Sequence, residues 1–136
     1  MTRRRPQRLS RVASGIVLVA LAWGCAPHAA HQGGDDPRTI RAEQAEMDPA
    51  LKRIPHAPSV VQAYEIQDER LTVTVDGTAW KQLGTAGQDT LKRAIWRRWA
   101  AAYTRHNGPT GDLIFVLVQD QVLNNLGSYF ARTSDR

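Results

Sequence analysis

The chain has 136 residues, a length that allows one compact domain at most. Its 18 basic residues exceed its 13 acidic residues, a net charge of +5 that commonly indicates a nucleic-acid or acidic-membrane partner. That interpretation fails because residues 1–24 contain five arginines and no acidic residue, namely Arg3, Arg4, Arg5, Arg8 and Arg11. The remaining chain balances 13 basic against 13 acidic residues, so we expect no nucleic-acid partner.

The arginine-rich start is followed by a mostly apolar run over residues 12–23. This run is shorter than the roughly 20 residues that a membrane-spanning helix needs, and it is typical of the centre of an export signal. The arginines at 3–5 are compatible with a twin-arginine export signal, but Pro6 and Gln7 follow them where that signal favours apolar residues. Ordinary secretion is therefore favoured.

The segment Ala22-Trp23-Gly24-Cys25 ends the apolar run and contains the only cysteine of the chain. It resembles the lipobox of bacterial lipoprotein precursors, in which the cysteine becomes the first residue of the mature chain. The resemblance covers residues 1–26. It implies that residues 1–24 are a cleaved signal peptide, that Cys25 is lipidated, and that the protein is lipid-anchored in the cell envelope. Ala26 after the cysteine implies the outer membrane, facing the periplasm, in a diderm bacterium.

Two alternatives remain for this segment, a soluble exported protein and an uncleaved anchor. With Cys25 lipidated, the mature domain has no free thiol and no internal disulfide. The domain then depends on packing, for which its tryptophans, tyrosines and phenylalanines supply large apolar areas.

Residues 25–59 are predicted to be a lipidated N-terminus and flexible linker, because they are rich in Ala, Pro, Gly, His and mixed charges. Two Asp-Pro pairs, at 36–37 and 48–49, predict short fraying helices over 37–47 and 49–54, since Asp favours the N-cap and Pro the first helical position. The large apolar residues of this region are predicted to be too sparse to form a core, namely Ile40, Met47, Leu51 and Ile54.

Three histidines also lie in this region, His28, His31 and His56, beside Asp35 and Asp36. Imidazole and carboxylate groups are ligands for zinc or copper. No spacing typical of a metal site accompanies them, which favours solvated loop histidines. The sequence therefore predicts neither a metal site nor a cofactor.

Residues 60–136 are predicted to form a small α+β domain of order β-β-α-β-β. Residues 60–66 and 71–75 are rich in β-branched residues around a polar turn and predict a hairpin. One helical turn is expected over 78–83 and one long helix over 86–106, the latter begun by a capping box of Thr85 and Gln88. The apolar run 113–118 predicts a central strand, and a last short strand is expected near 128–131. We recognise no family for residues 60–136.

The long helix is predicted to be amphipathic, with its aromatic residues toward the core. Arg93, Arg97 and Arg98 lie mostly on the opposite side and are the candidate ligand or partner face. A solvated basic face is the alternative explanation for the same pattern. The run 113–118 is apolar on both faces, whereas one helix covers one face of a sheet. We expect the linker, the C-terminal tail, a partner protein or a second copy of the chain to cover the other.

Catalytic signatures are absent from the sequence: it contains no nucleophile elbow, no phosphate-binding glycine loop and no zinc-protease helix. The remaining catalytic candidates are His106 with Asp112 or Asp120. The same three residues are equally well explained as a histidine at a helix end and two aspartates in turns, without any catalytic role. We therefore expect that the protein is not an enzyme.

The sequence predicts a membrane-anchored envelope lipoprotein acting as a non-enzymatic interaction or accessory module, with an envelope protein or a second copy as partner. The alternative is a lipoprotein that binds or senses a small anionic ligand through the arginine face.

Overall fold

Four strands form one mixed sheet whose spatial order is the same as their order in the chain. They are β1 (Val61–Gln67), β2 (Arg70–Val75), β3 (Leu113–Asp120) and β4 (Asn125–Arg132). The helices are α1 (Pro37–Lys52), α2 (Ala57–Val60), α3 (Gly77–Gln82) and α4 (Gly84–Asn107), and a 3-10 turn over Thr133–Asp135 follows β4. This computed structural model describes residues 36–136 and confirms the predicted α+β class, with a four-stranded sheet and one long helix.

The two outer strand pairs are antiparallel and the central pair is parallel. The β1–β2 and β3–β4 connections are short, whereas β2 reaches β3 only through α3 and α4. This is the predicted β-β-α-β-β order, in which the long helix crosses over one face of the sheet to join parallel strands.

The sheet buries one face, following the alternation of side chains along each strand. On β2, Leu71, Val73 and Val75 point into the core, while Thr72 and Thr74 between them are half-buried on the other face. On β3, the buried residues are Ile114, Val116 and Val118. The apolar residues between those three therefore face away from the helices.

Helix α4 contributes more buried residues than any other described helix, including Trp96, Trp99 and Tyr103. The predicted capping box is wrong: the helix begins at Gly84, and its N-cap residue makes no side-chain hydrogen bond. Gln88 instead donates from Nε2 to the Trp80 carbonyl at 2.9 Å, which ties α4 to α3.

Helix α1 begins where the sequence predicts, because the Asp36 carboxylate accepts a hydrogen bond from the Arg38 backbone N–H at 2.9 Å. It then continues through Pro49 as one helix rather than two, and it packs against α4. Met47, Leu51 and Ile54 are buried in the core. The expectation that these residues are too sparse for a core is therefore wrong, because α4 supplies the other half of the contact surface.

Residues 37–59, expected as part of a flexible linker, are thus helical over most of their length and packed on the domain. The predicted signal peptide, Cys25, His28 and His31 lie outside the described residues. Within 36–136, no helix is both long and apolar enough to cross a bilayer.

Candidate functional site

The sheet face turned away from the helices carries exposed apolar side chains. We call it the Phe115 face, and it consists of Arg70, Leu113, Phe115, Leu117, Phe130 and Arg132. Phe115 and Phe130 lie opposite each other on β3 and β4, with ring centroids 6.0 Å apart. Leu113, Phe115 and Phe130 remain 40%, 38% and 58% exposed. These are large apolar groups that folding leaves partly in water.

No described segment of the chain covers the Phe115 face. Helix α1 and α2 pack on the helix side of the sheet, where Tyr64 of β1 donates from its hydroxyl to the Gln44 carbonyl of α1 at 3.1 Å. The C-terminal turn contacts α4, and Thr133 is buried there. Within residues 36–136, the linker and the C-terminal tail, two of the segments expected to cover this face of the sheet, therefore lie on its other side, with the helices.

Two arginines border the phenylalanine pair. Arg70 is the β2 neighbour of Phe115, and Arg132 is the β4 neighbour of Leu113. Arg70 donates to the side-chain oxygen of Gln67, and Arg132 donates to the Gly111 carbonyl at 3.2 Å. Both acceptors are neutral, so the positive charge at this border is not compensated by a carboxylate contact among the described residues.

A second surface is a furrow along the outer side of α4, between that helix and the chain that runs from α1 to α2. It consists of three adjoining depressions of about 310, 380 and 310 Å³. Arg53, Arg97 and Arg98 line the middle one, together with Ile54, Pro55, Ala94 and Ala101. We call this middle depression the arginine furrow.

The predicted arginine face of α4 is divided by the fold. The Arg93 guanidinium lies 5.8 Å from the centre of the Tyr129 ring of β4, a cation–π contact that directs it toward the sheet edge. Arg97 and Arg98 line the arginine furrow instead, where they are joined by Arg53 from the end of α1. Sequence reasoning missed Arg53 because it expected that region to be a linker.

The catalytic candidates are not brought together. His106 pairs through Nε2 with Glu46 Oε1 of α1 at 2.7 Å, and Asp112 accepts a hydrogen bond from the Tyr103 hydroxyl at 3.0 Å. Asp120 lies at the other end of β3, where it accepts backbone hydrogen bonds from the turn that leads to β4. The carboxylate that His106 contacts is therefore Glu46, which was not among the candidates from the sequence.

The end of α4 holds a set of polar contacts with α1. Burial alone raises the pKa of Glu46, but hydrogen bonds from Arg105 and His106 outweigh it and hold that pKa below its ordinary value. Glu43 is buried beside them and accepts from Asn107 Nδ2 at 2.7 Å. Burial raises the pKa of Glu43. These contacts fasten the two helices to each other.

The polar groups of this set are paired with one another, and two of them, Glu46 and Arg105, also line the depression that adjoins the arginine furrow on the α1 side. The described residues contain no group of three or more His, Cys, Asp or Glu side chains arranged to hold a metal ion. His56 lies apart from the set, in the depression that adjoins the arginine furrow. Within the part of the chain that the structure describes, the Phe115 face presents exposed apolar side chains, and the arginine furrow presents arginines without an acidic partner.

No family model, curated protein or solved structure matches the chain.

Proposed function

We propose that the protein is a lipid-anchored lipoprotein of the cell envelope whose domain is a non-enzymatic interaction module. The observation that carries this proposal is the Phe115 face, on which large apolar side chains of β3 and β4 remain exposed. Contiguous exposed apolar surface is costly in water and commonly marks a site where another protein binds.

The anchor is supported by the order of the first 26 residues, in which arginines, an apolar run, small residues and a cysteine follow one another. Several acyl chains at Cys25 would hold the domain on a membrane stably, because each buried methylene contributes about 0.8 kcal/mol. Metabolic labelling with a palmitate analogue tests the anchor. We expect label on the wild-type protein and none on Cys25→Ser; undiminished label on that variant contradicts the anchor.

The partner is best described as an extended protein segment with acidic and apolar side chains. β4 pairs only with β3 among the described strands, so its outer edge offers backbone groups to an added strand. Such a strand would lie beside Phe130, and its acidic residues would meet Arg132, whose present acceptor is a neutral carbonyl.

Photo-crosslinking in cells tests this surface. A photoreactive amino acid at Phe130 should yield a discrete adduct with another protein, whereas the same group at Arg41, an exposed position of α1, should not. The adduct mass separates a partner protein from a second copy of this chain. Equal crosslinking at both positions, or none at Phe130, contradicts a binding site on the Phe115 face.

Binding of an anionic ligand is the second candidate function. It is favoured by the arginine furrow, a single depression lined by two arginines of α4 and by Arg53, which directly follows α1.

A further inference from the structure

We propose that the arginine furrow binds the phosphate groups of anionic phospholipids at a bilayer surface and thereby orients the anchored domain. This inference names the ligand of the second candidate function, and it rests on the membrane anchor proposed above. The ligand follows from the charges, the apolar floor and the position of the furrow in the fold.

Most of the basic side chains of α4 are paired within the domain. Lys92, Arg93 and Arg105 of α4 each contact a partner, namely Asp89 at 2.8 Å, the ring of Tyr129 and the carboxylate of Glu46. Arg97 and Arg98 are the exceptions on that helix, since neither guanidinium makes a hydrogen bond or ion pair within residues 36–136.

The Arg53 guanidinium likewise makes no hydrogen bond or ion pair within residues 36–136, and Arg53 lines the opposite side of the furrow from α4. An arginine guanidinium is a planar group that binds phosphate oxygens through two parallel hydrogen bonds. Three such groups around one depression therefore select an anion with several oxygens, and phosphate has the required geometry.

The floor of the furrow is apolar. Ile54, Pro55, Ala94 and Ala101 line the depression together with the arginines. A free phosphate ion would leave these groups in contact with water. An anionic lipid at a membrane surface supplies both parts at once, because its phosphate meets the guanidinium groups and its glycerol and upper acyl carbons meet the apolar floor.

The position of the furrow fits the same ligand. The aromatic residues of α4 point toward the sheet, and Arg97 lies on the opposite side of that helix. The furrow and the Phe115 face are therefore on opposite sides of the domain. A domain that rests on the bilayer through the furrow keeps its sheet face directed away from the lipid.

Vesicle flotation of a lipid-free chain, starting at residue 26 and carrying every described element, tests the proposal independently of the anchor. The probes are vesicles of phosphatidylcholine alone and of phosphatidylcholine with phosphatidylglycerol. We expect binding to the second kind only. The triple variant Arg53→Gln, Arg97→Gln, Arg98→Gln should reduce the partition coefficient about a hundredfold, since each arginine near an anionic surface contributes about a factor of five.

A matched control removes three positive charges from other exposed positions, through Arg38→Gln, Arg41→Gln and Lys81→Gln. This variant should stay within about threefold of the wild type, because distant charges are screened over about 10 Å at ordinary salt. Far-UV circular dichroism of both variants checks that they keep their fold.

Three results overturn the proposal. They are absence of binding to phosphatidylglycerol vesicles, equal loss in the two triple variants, and complete release of the bound protein by inorganic phosphate at constant ionic strength. The last result would assign the furrow to a soluble phosphate. Absence of palmitate label from the wild-type protein would contradict the anchor alone. Failure of the anchor proposal is therefore distinguishable from failure of the furrow proposal.

Discussion

Glu43 is an acidic residue within the contact between α1 and α4. Its side chain is 2% exposed, and the hydrogen bond from Asn107 satisfies one carboxylate oxygen. Burial raises its pKa because the charged form loses hydration, and the nearby negative charge of Glu46 acts in the same direction. The hydrogen bond from Asn107 and the proximity of His106 oppose this shift without cancelling it.

A raised pKa in the folded state makes ionised Glu43 a cost to stability. Above the ordinary carboxyl pKa of 4.5 the unfolded chain releases the proton while the folded chain retains it, so the wild type loses stability as pH rises from 4.5 through the folded pKa. Glu43→Gln keeps an oxygen that accepts from Asn107 and cannot ionise. We expect its free energy of unfolding to exceed that of the wild type increasingly over this range.

Urea unfolding of both proteins at about pH 4 and about pH 8 measures the difference. Glu65→Gln, a matched change at an exposed carboxylate of β1, controls for the loss of one negative charge. Parallel pH curves for Glu43→Gln and the wild type would show that Glu43 is not the group responsible.

At the scale of elements, residue patterns predict the sheet and α4 well. Helix α4 is expected over 86–106 and observed over Gly84–Asn107, and the apolar run 113–118 lies within β3. These segments carry their own signal, since a period of 3.6 or an unbroken apolar run is set by the segment itself. The last strand, expected near 128–131, is longer than predicted because β3 extends its pairing to Asn125.

Helix α1 is where sequence reasoning fails. Its buried stripe, Glu43, Met47 and Leu51, is narrow and contains a carboxylate, so it does not resemble the apolar face of a core helix. Pro49 adds to the error, because a proline after an aspartate is typical of a helix start. What holds α1 in place is the surface of α4, some sixty residues later in the chain, and a local pattern does not contain that information.

The same limit applies to the candidate site. Arg97 and Arg98 follow from the helical periodicity of α4, and the exposed side of β3 follows from its apolar run. The contribution of Arg53 to the furrow depends on the packing of α1 against α4, and the pairing of Phe130 with Phe115 depends on strand register. These two contributions become visible only in three dimensions.

The packing of α1 leads to a prediction about stability. Met47 is completely buried, so Met47→Ala should lower the free energy of unfolding by about 2–5 kcal/mol through lost apolar contact and the cavity left behind. Arg41→Ala on the exposed side of the same helix should change it by less than about 0.5 kcal/mol. Urea unfolding measures both values, and equal values would indicate that α1 does not contribute to the core.

At the scale of the whole molecule, the domain has two sides with different chemistry. The described residues carry 13 basic and 12 acidic side chains, so local arrangement rather than total charge distinguishes the sides. Uncompensated guanidinium groups lie in the arginine furrow, and exposed phenylalanines lie on the Phe115 face. The two proposed contacts, with a membrane and with a partner protein, therefore use different surfaces of the domain.

This arrangement predicts unequal solvent access on vesicles. The chain from residue 26 has no cysteine, so Phe130→Cys and Ala101→Cys each accept one fluorescent label. On phosphatidylglycerol-containing vesicles we expect aqueous iodide to quench the label at position 130 as in free solution and the label at position 101 much less. Equal protection at both positions would contradict a bilayer contact through the arginine furrow.

The parallel pairing of β2 with β3 also governs when the chain folds. Each outer pair is a local hairpin, and two-stranded hairpins are marginally stable alone. The central ladder forms only after the entire α3–α4 segment has been looped back, which costs chain entropy and slows folding. A chain emerging from the ribosome therefore lacks a stable core until its final strands are made.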